Sequence, residues 1–281
     1  MNFMKTTAYD PYRHLPLYLY KYSSFDELEY SLQFFLDGSI FCSSPLKFND
    51  PFDSYVKVDY SRFSESSLLK KLGEIIKHLH PEFSSSQVQE QAVLEVQAFD
   101  KQRLTDKNLL KQVLLNHLEN KIGVYSLSAE KNNILLWSHY AASHTGFVIE
   151  FNALYLKNFL INTYGLNNQK RLLLPVTYSH HYKKVDAFSS DYYRALTKAF
   201  LTKAKVWSYE NEWRIIYYGA ANIKMIIPLE IMPDLVNCVV LGSKISIQNE
   251  SKIASILNKI NIPIFKAIQS ENKYVMEYVQ Y

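Results

Sequence analysis

Glycine is scarce: the 281-residue chain holds only 7. A glycine-rich phosphate loop has little to be built from, and neither G-x-G-x-x-G nor a Walker A pattern occurs. Cysteine is nearly absent. Cys42 and Cys238 stand far apart and outside any C-x-x-C pair, which argues against a disulfide framework and a cysteine-based zinc site and makes a reducing compartment the expectation. Neither sign of charge dominates. A formal net charge of +4 permits an anionic ligand but argues against nucleic acid as the main partner. Long apolar runs are missing as well. The most apolar stretches, 147–161 and 225–241, are broken by Glu, Lys, Asp or Pro, so no transmembrane helix and no membrane partner are expected. The start, Met1-Asn-Phe-Met-Lys-Thr-Thr7, lacks the continuous apolar segment of a secretory signal. These absences predict a soluble, cytoplasmic protein, with translocation by a signal-less route left open.

What the chain has instead is aromatic and apolar bulk. Aromatics make up 15%, including 22 tyrosines, and 48% of the residues are apolar, enough for one large core or two small ones. The organising stretch is Lys205-Val-Trp-Ser-Tyr-Glu-Asn-Glu-Trp-Arg-Ile-Ile-Tyr-Tyr218. Its aromatic and β-branched residues predict a strand. In a strand Glu210, Glu212 and Arg214 would share one side, with Trp207, Tyr209 and Trp213 on the other. Two carboxylates at that spacing raise each other's pKa unless a cation lies near, and Arg214 is the available cation.

Elsewhere the pattern predicts alternating strands and helices. Residues 15–24 read as a strand with Leu17, Leu19 and Lys21 on one side and Tyr18, Tyr20 and Tyr22 on the other. Ser24 and Glu27 form a capping pattern for a helix that stops near Asp37-Gly38. Between 64 and 120 apolar residues recur every three or four positions, predicting three helices broken near His80-Pro81 and Thr105-Asp106. Strands follow at 122–128, 147–151, 172–178, 223–228, 236–242, 264–268 and 274–278. Helices fall at 134–142, 154–160, 191–203 and 246–260, the last started by Ser246. The expectation is a single α+β domain over 1–281 with a helical insertion at 64–120.

Several stretches, taken in order, carry a resemblance. They are Leu19-Tyr-Lys-Tyr-Ser23, Phe48-Asn-Asp-Pro-Phe-Asp53, Ser126-Leu-Ser128, Leu136-Trp-Ser-His-Tyr-Ala141, His144-Thr-Gly-Phe-Val-Ile-Glu-Phe151 and Trp207-Ser-Tyr-Glu-Asn-Glu-Trp-Arg214. From about Leu17 to about Gly242 they resemble the bacterial domain-of-unknown-function family 2971. More distantly, their order is similar to the ADP-ribosyltransferase superfamily. That resemblance implies a split, mixed or antiparallel β-sheet core, NAD as substrate, and transfer of ADP-ribose to an unknown protein acceptor.

It also implies roles. Glu212 would stabilise the oxocarbenium-like transition state as nicotinamide leaves. Glu210 would orient or deprotonate the acceptor, and Ser126 would brace the carboxylate or the ribose. Lys21, Tyr22, Ser128, Trp137, Tyr140, Asn49 and Asp50 would line the NAD site, with Lys21 standing where the superfamily carries Arg or His. No metal is expected. The His139, His144, His180 and His181 spacing lacks a zinc pattern, and Asn49, Asp50 and Asp53 beside proline also suit a self-capping turn.

The competing expectation is a non-catalytic nucleotide- or protein-binding module of a bacterial defence or effector system. Catalysis predicts that Glu212 and Ser126 or Ser128 meet Lys21 in one cleft. The module predicts that Glu210 and Arg214 form an internal ion pair.

Overall fold

The computed structural model describes residues 12–25, 31–59, 64–98, 122–164, 171–186, 189, 192–218 and 220–281. The capping pattern that ends at Glu27 and the third helix expected near 106–120, with His117, lie outside these residues. In chain order the strands are β1 (Tyr18–Ser23), β2 (Ser39–Cys42), β3 (Lys57–Asp59), β4 (Ile122–Ser128), β5 (Phe147–Asn152), β6 (Arg171–Pro175) and β7 (Thr177–Ser179), then β8 (Lys184–Asp186), β9 (Thr202–Ala204), β10 (Glu212–Tyr218), β11 (Ile223–Ile226), β12 (Val236–Leu241), β13 (Ile264–Gln269) and β14 (Met276–Gln280). The helices are α1 (Gln33–Asp37), α2 (Glu65–Leu79), α3 (Ser85–Ala98), α4 (Ile134–Tyr140), α5 (Ala153–Tyr164), α6 (Tyr192–Phe200), α7 (Met232–Leu235) and α8 (Ile247–Lys259).

The chain separates into two compact units. The first, Met1–Phe48, Lys121–Tyr178 and Lys205–Tyr281, is built on an eight-stranded sheet of order β14-β13-β12-β5-β1-β4-β10-β6. β12 and β13 run parallel; the other pairs are antiparallel. This is an α+β fold, as the sequence pattern predicts, and its sheet is mixed. The alternation of β1 fixes its facing. Leu19 joins Phe147, Ile149, Phe151, Leu127, Trp213, Ile215, Val239 and Leu241 in the larger apolar cluster. Phe34 and Phe35 of α1, Leu156 and Leu160 of α5, Leu235 of α7 and Leu257 of α8 cover it. Each fully buried Ile, Leu or Phe there contributes about 1.5–3 kcal/mol of transfer free energy. On the opposite face Tyr20, Tyr22, Val148, Cys238 and Val240 pack with Leu136 and Trp137 of α4.

Caps fall where the local chemistry puts them. Ser246 accepts from the Asn249 N–H at 3.2 Å and starts α8. α1 stops at Gly38, whose φ of 77° only glycine adopts readily; a Cβ there would also sit 1.8 Å from the Ile227 carbonyl oxygen.

The second unit, Asn49–Asn120 and Ser179–Ala204, contains α2 and α3, broken at 80–84 as the pattern predicts, and the parallel pair β3–β8. Buried Lys203 lies 3.4 Å from the carboxylate of buried Asp53.

One expectation is corrected outright. Residues 205–218 do not form a continuous strand: Lys205–Glu210 is a 3-10 turn and the strand begins at Glu212. Asn211, at φ 44°, makes the break. Asn tolerates the left-handed region that β-branched and bulky residues avoid.

Candidate functional site

Register on the α4-covered face sets out a single row of polar residues. Cys238 pairs with Glu150, Glu150 with Tyr20, Tyr20 with Ser128 and Ser128 with Glu212. All five are buried. Directly opposed residues in an antiparallel ladder project from the same face, so the sheet carries two carboxylates, a thiol, a phenol and a hydroxyl in line across five strands.

The Glu212 end of the row is locked. Arg214 Nε donates to Glu212 Oε1 at 2.7 Å and Nη2 donates to Oε2 at 3.0 Å. Arg214 is 0% and Glu212 4% exposed, and the guanidinium also lies 5.3 Å from the Phe48 ring centroid. Such a bidentate fork is the strongest common form of carboxylate pairing. The turn at Asn211 rotates Glu210 inward, where its Oε1 accepts from Tyr140 Oη at 2.7 Å. Ser128 Oγ donates to the Glu210 carbonyl at 2.5 Å and accepts from the Glu130 N–H at 2.9 Å. The Glu212 N–H donates to Tyr178 Oη at 2.7 Å. Ser126 stands opposite Arg214 across β4 and β10.

At the other end Glu150 is served by Lys131, whose Nζ lies 2.6 Å from Oε2, and by Asn237, which donates to Oε1. The Lys131 ammonium lies 5.0 Å from the Tyr278 ring centroid and 6.0 Å from that of Tyr20, a cation between aromatic faces. Its backbone is pinned too: the Lys131 carbonyl accepts from Tyr278 Oη at 2.6 Å and lies 2.8 Å from Tyr22 Oη. Burial, then Glu150, push the Cys238 thiol up to about 12 and the Tyr278 phenol also to about 12. Tyr20 and Tyr22 are raised well above the ordinary phenol value, burial being the main cause. A thiol held protonated is a poor nucleophile. Neither Glu150 nor Lys131 stands out as a site residue in the sequence, and Cys238 stands out only as a cysteine without a pair. The available signal was a lone Glu inside the apolar run Phe147-Val-Ile-Glu-Phe151.

Between α4 and β5 the backbone is strained. Ala142, Ser143 and His144 all have positive φ, at 46°, 53° and 71°. The turn closes against Gly146, where a Cβ would stand 2.0 Å from the Ser23 carbonyl oxygen. The His144 ring stacks on Trp137 at 5.9 Å with a 6° interplanar angle. Burial, then Lys244, lower its pKa. Consecutive left-handed residues of this kind persist only where their surroundings over-determine them.

Of the remaining candidates in this unit, Tyr22 and Trp137 pack on the α4-covered face and Lys21 does not. Lys21 projects from the other face of β1. Its Nζ donates to the Ser126 carbonyl at 3.2 Å and lies 4.5 Å from the Tyr125 centroid, so the sheet itself separates it from the Glu212 side chain. Trp137 is fully buried, edge-on to Tyr22 at 5.5 Å. Tyr22 is buried with its hydroxyl on the Glu130 and Lys131 carbonyls. Asn49 and Asp50 lie in the second unit. Asp50 Oδ1 accepts from the Phe52 N–H at 2.9 Å, a self-capping turn. Among the described residues no group of three His, Cys, Asp or Glu side chains is placed to hold a metal ion, and no helix is long and apolar enough to cross a membrane.

The fold and this face define an α+β protein whose sheet carries a buried ionic row. A family model described as "Protein of unknown function (DUF2971)" matches residues 136–215, from α4 through the Glu210–Arg214 corner, and supports the resemblance to that family over this stretch. No curated protein and no solved structure matches the chain.

Proposed function

We propose that the chain is a non-catalytic nucleotide-binding module, with the Glu210–Arg214 corner as its scaffold. One observation carries this reading: both oxygens of Glu212 grip the buried Arg214 guanidinium. A carboxylate that stabilises an oxocarbenium-like centre must offer its charge to the substrate, whereas this one already neutralises a neighbour. The position of Lys21 on the opposite face points the same way.

A second reading keeps one observation of its own. Glu210 and Glu212 lie beside Ser128 and opposite strand β4, an order the resemblance to ADP-ribosyltransferases implies. Under that reading Arg214 releases Glu212 when NAD binds. The test is nicotinamide release from NAD by purified protein, with cell lysate added as a source of acceptor. No release above the protein-free rate is the expected result. Release by the wild type that a folded Glu212→Gln variant lacks would overturn the module reading and make Glu212 catalytic.

A further inference from the structure

The face of the sheet away from Glu212 carries a pocket of about 360 Å³. That is within the roughly 300–1,000 Å³ typical of small-molecule sites. Its floor is apolar and buried, with Ile149 and Tyr125 at the base. Its polar lining residues are of one character: Lys21, Lys47 and serines that include Ser23, Ser39 and Ser43. No Asp or Glu is among the described lining residues.

The Lys21 ammonium and the backbone that carries Ser43 and Lys47 are held before any ligand arrives. The Ser126 carbonyl and the Tyr125 ring fix the Lys21 ammonium. Ser43 is clamped by a two-way backbone bridge to Val124, at 2.9 and 2.8 Å. Lys47 ends the 3-10 turn Pro45–Lys47, which Ser44 caps through the Leu46 N–H. Burial keeps the Tyr125 phenol raised and protonated, so it stays a donor. Preorganised donors lose little rotamer freedom on binding. Lysine meets phosphate as a point charge, and hydroxyls add direction.

We infer that this pocket binds a small phosphorylated molecule, its phosphate or diphosphate group held between Lys21 and Lys47 and hydrogen-bonded by the serine hydroxyls. The inference rests on the module reading and names the site that reading leaves open. It places the ligand on the face of the sheet opposite the Glu210–Arg214 corner.

The test is calorimetric titration of the full chain with pyrophosphate, ADP and adenosine at low ionic strength. Wild type is compared with Lys21→Met and Lys47→Glu. Pyrophosphate and ADP are expected to bind, adenosine not, with affinity falling as salt is added. Each variant is expected to weaken ADP by at least tenfold. Lys47 is exposed, so Lys47→Glu reads out binding even where Lys21→Met disturbs folding. Equal ADP affinity in wild type and Lys47→Glu overturns the pocket while leaving the module reading intact. Binding of adenosine alone, or of none of the three probes, also overturns the pocket. The module reading itself falls only on NAD turnover.

Discussion

On one face of the eight-stranded sheet Leu19, Ile149, Phe151, Ile215 and Val239 meet mostly carbon. On the other, Glu150, Glu212 and Arg214 are buried alongside Tyr20, Ser128 and Cys238. Alternate residues of the same strands supply both faces, so backbone geometry and strand pairing are shared and only side-chain chemistry differs. On the apolar face a deletion leaves a void whose cost scales with volume. On the ionic face buried charges are paired, Glu212 with Arg214 and Glu150 with Lys131, and removing one member of a pair costs more than its volume, because the other charge stays in low dielectric. The first kind of face degrades by degrees; the second fails by pairs.

The largest effect expected is at the ionic face. Arg214→Met strands Glu212 and is expected to cost about 3–5 kcal/mol in urea denaturation. The double variant Glu212→Leu with Arg214→Met is expected to be more stable than Arg214→Met alone, since the pair is then removed whole. Equal or lower stability of the double variant would break the contrast between the faces. On the apolar face Ile215→Ala is expected to cost about 2–5 kcal/mol, and Ile215→Val about 0.5–1.5 kcal/mol. A Val substitution as damaging as Ala would show that this face is not graded by volume.

The next prediction concerns pH. The unfolded chain releases the Cys238 proton near its ordinary 9.0, while the folded chain holds it to about 12. Between those values the unfolded state binds fewer protons, so stability falls as pH rises, by at most about 1.4 kcal/mol per pH unit for this group. Tyr278, raised from 10.0 to about 12, adds to the fall above pH 10. Cys238→Ala should flatten the profile between pH 9 and 10. A urea midpoint that is level from pH 8 to 11 in the wild type would refute the assignment. The smallest effect belongs to the cap of α8, which covers the apolar face. Ser246→Ala is expected to cost about 1 kcal/mol, read as a small drop in Tm.

Much of this contrast was legible as period two. The alternation of Tyr18, Tyr20 and Tyr22 against Leu19 and Lys21 already assigned the faces of β1, and the same rule separates Lys21 from Tyr22 as ligands of one site. Arg214 as the cation beside Glu212 was legible as well. What period two could not show was Asn211 turning at φ 44°. That turn takes Glu210 off the strand and gives the fork to Glu212. The Phe48–Asp53 motif read as a self-capping turn first and as a site second, because an Asp that binds a ligand and an Asp that caps its own backbone look alike in sequence. Glu150 escaped notice because its apolar neighbours satisfy the strand pattern, while Lys131 and Asn237, which make its burial tolerable, come from other segments.

The strand order also has a consequence for biosynthesis. β1 leaves the ribosome well before its sheet neighbours β4 and β5, which begin about a hundred residues later and are complete only at Asn152. At about 5–20 residues per second, the Tyr-Leu-Tyr segment waits on the order of ten seconds for its neighbours. Throughout that interval the future centre of the sheet is an unpaired apolar strand. Nascent chains of this protein should therefore depend on holding chaperones more heavily than chains whose first strand closes a local hairpin.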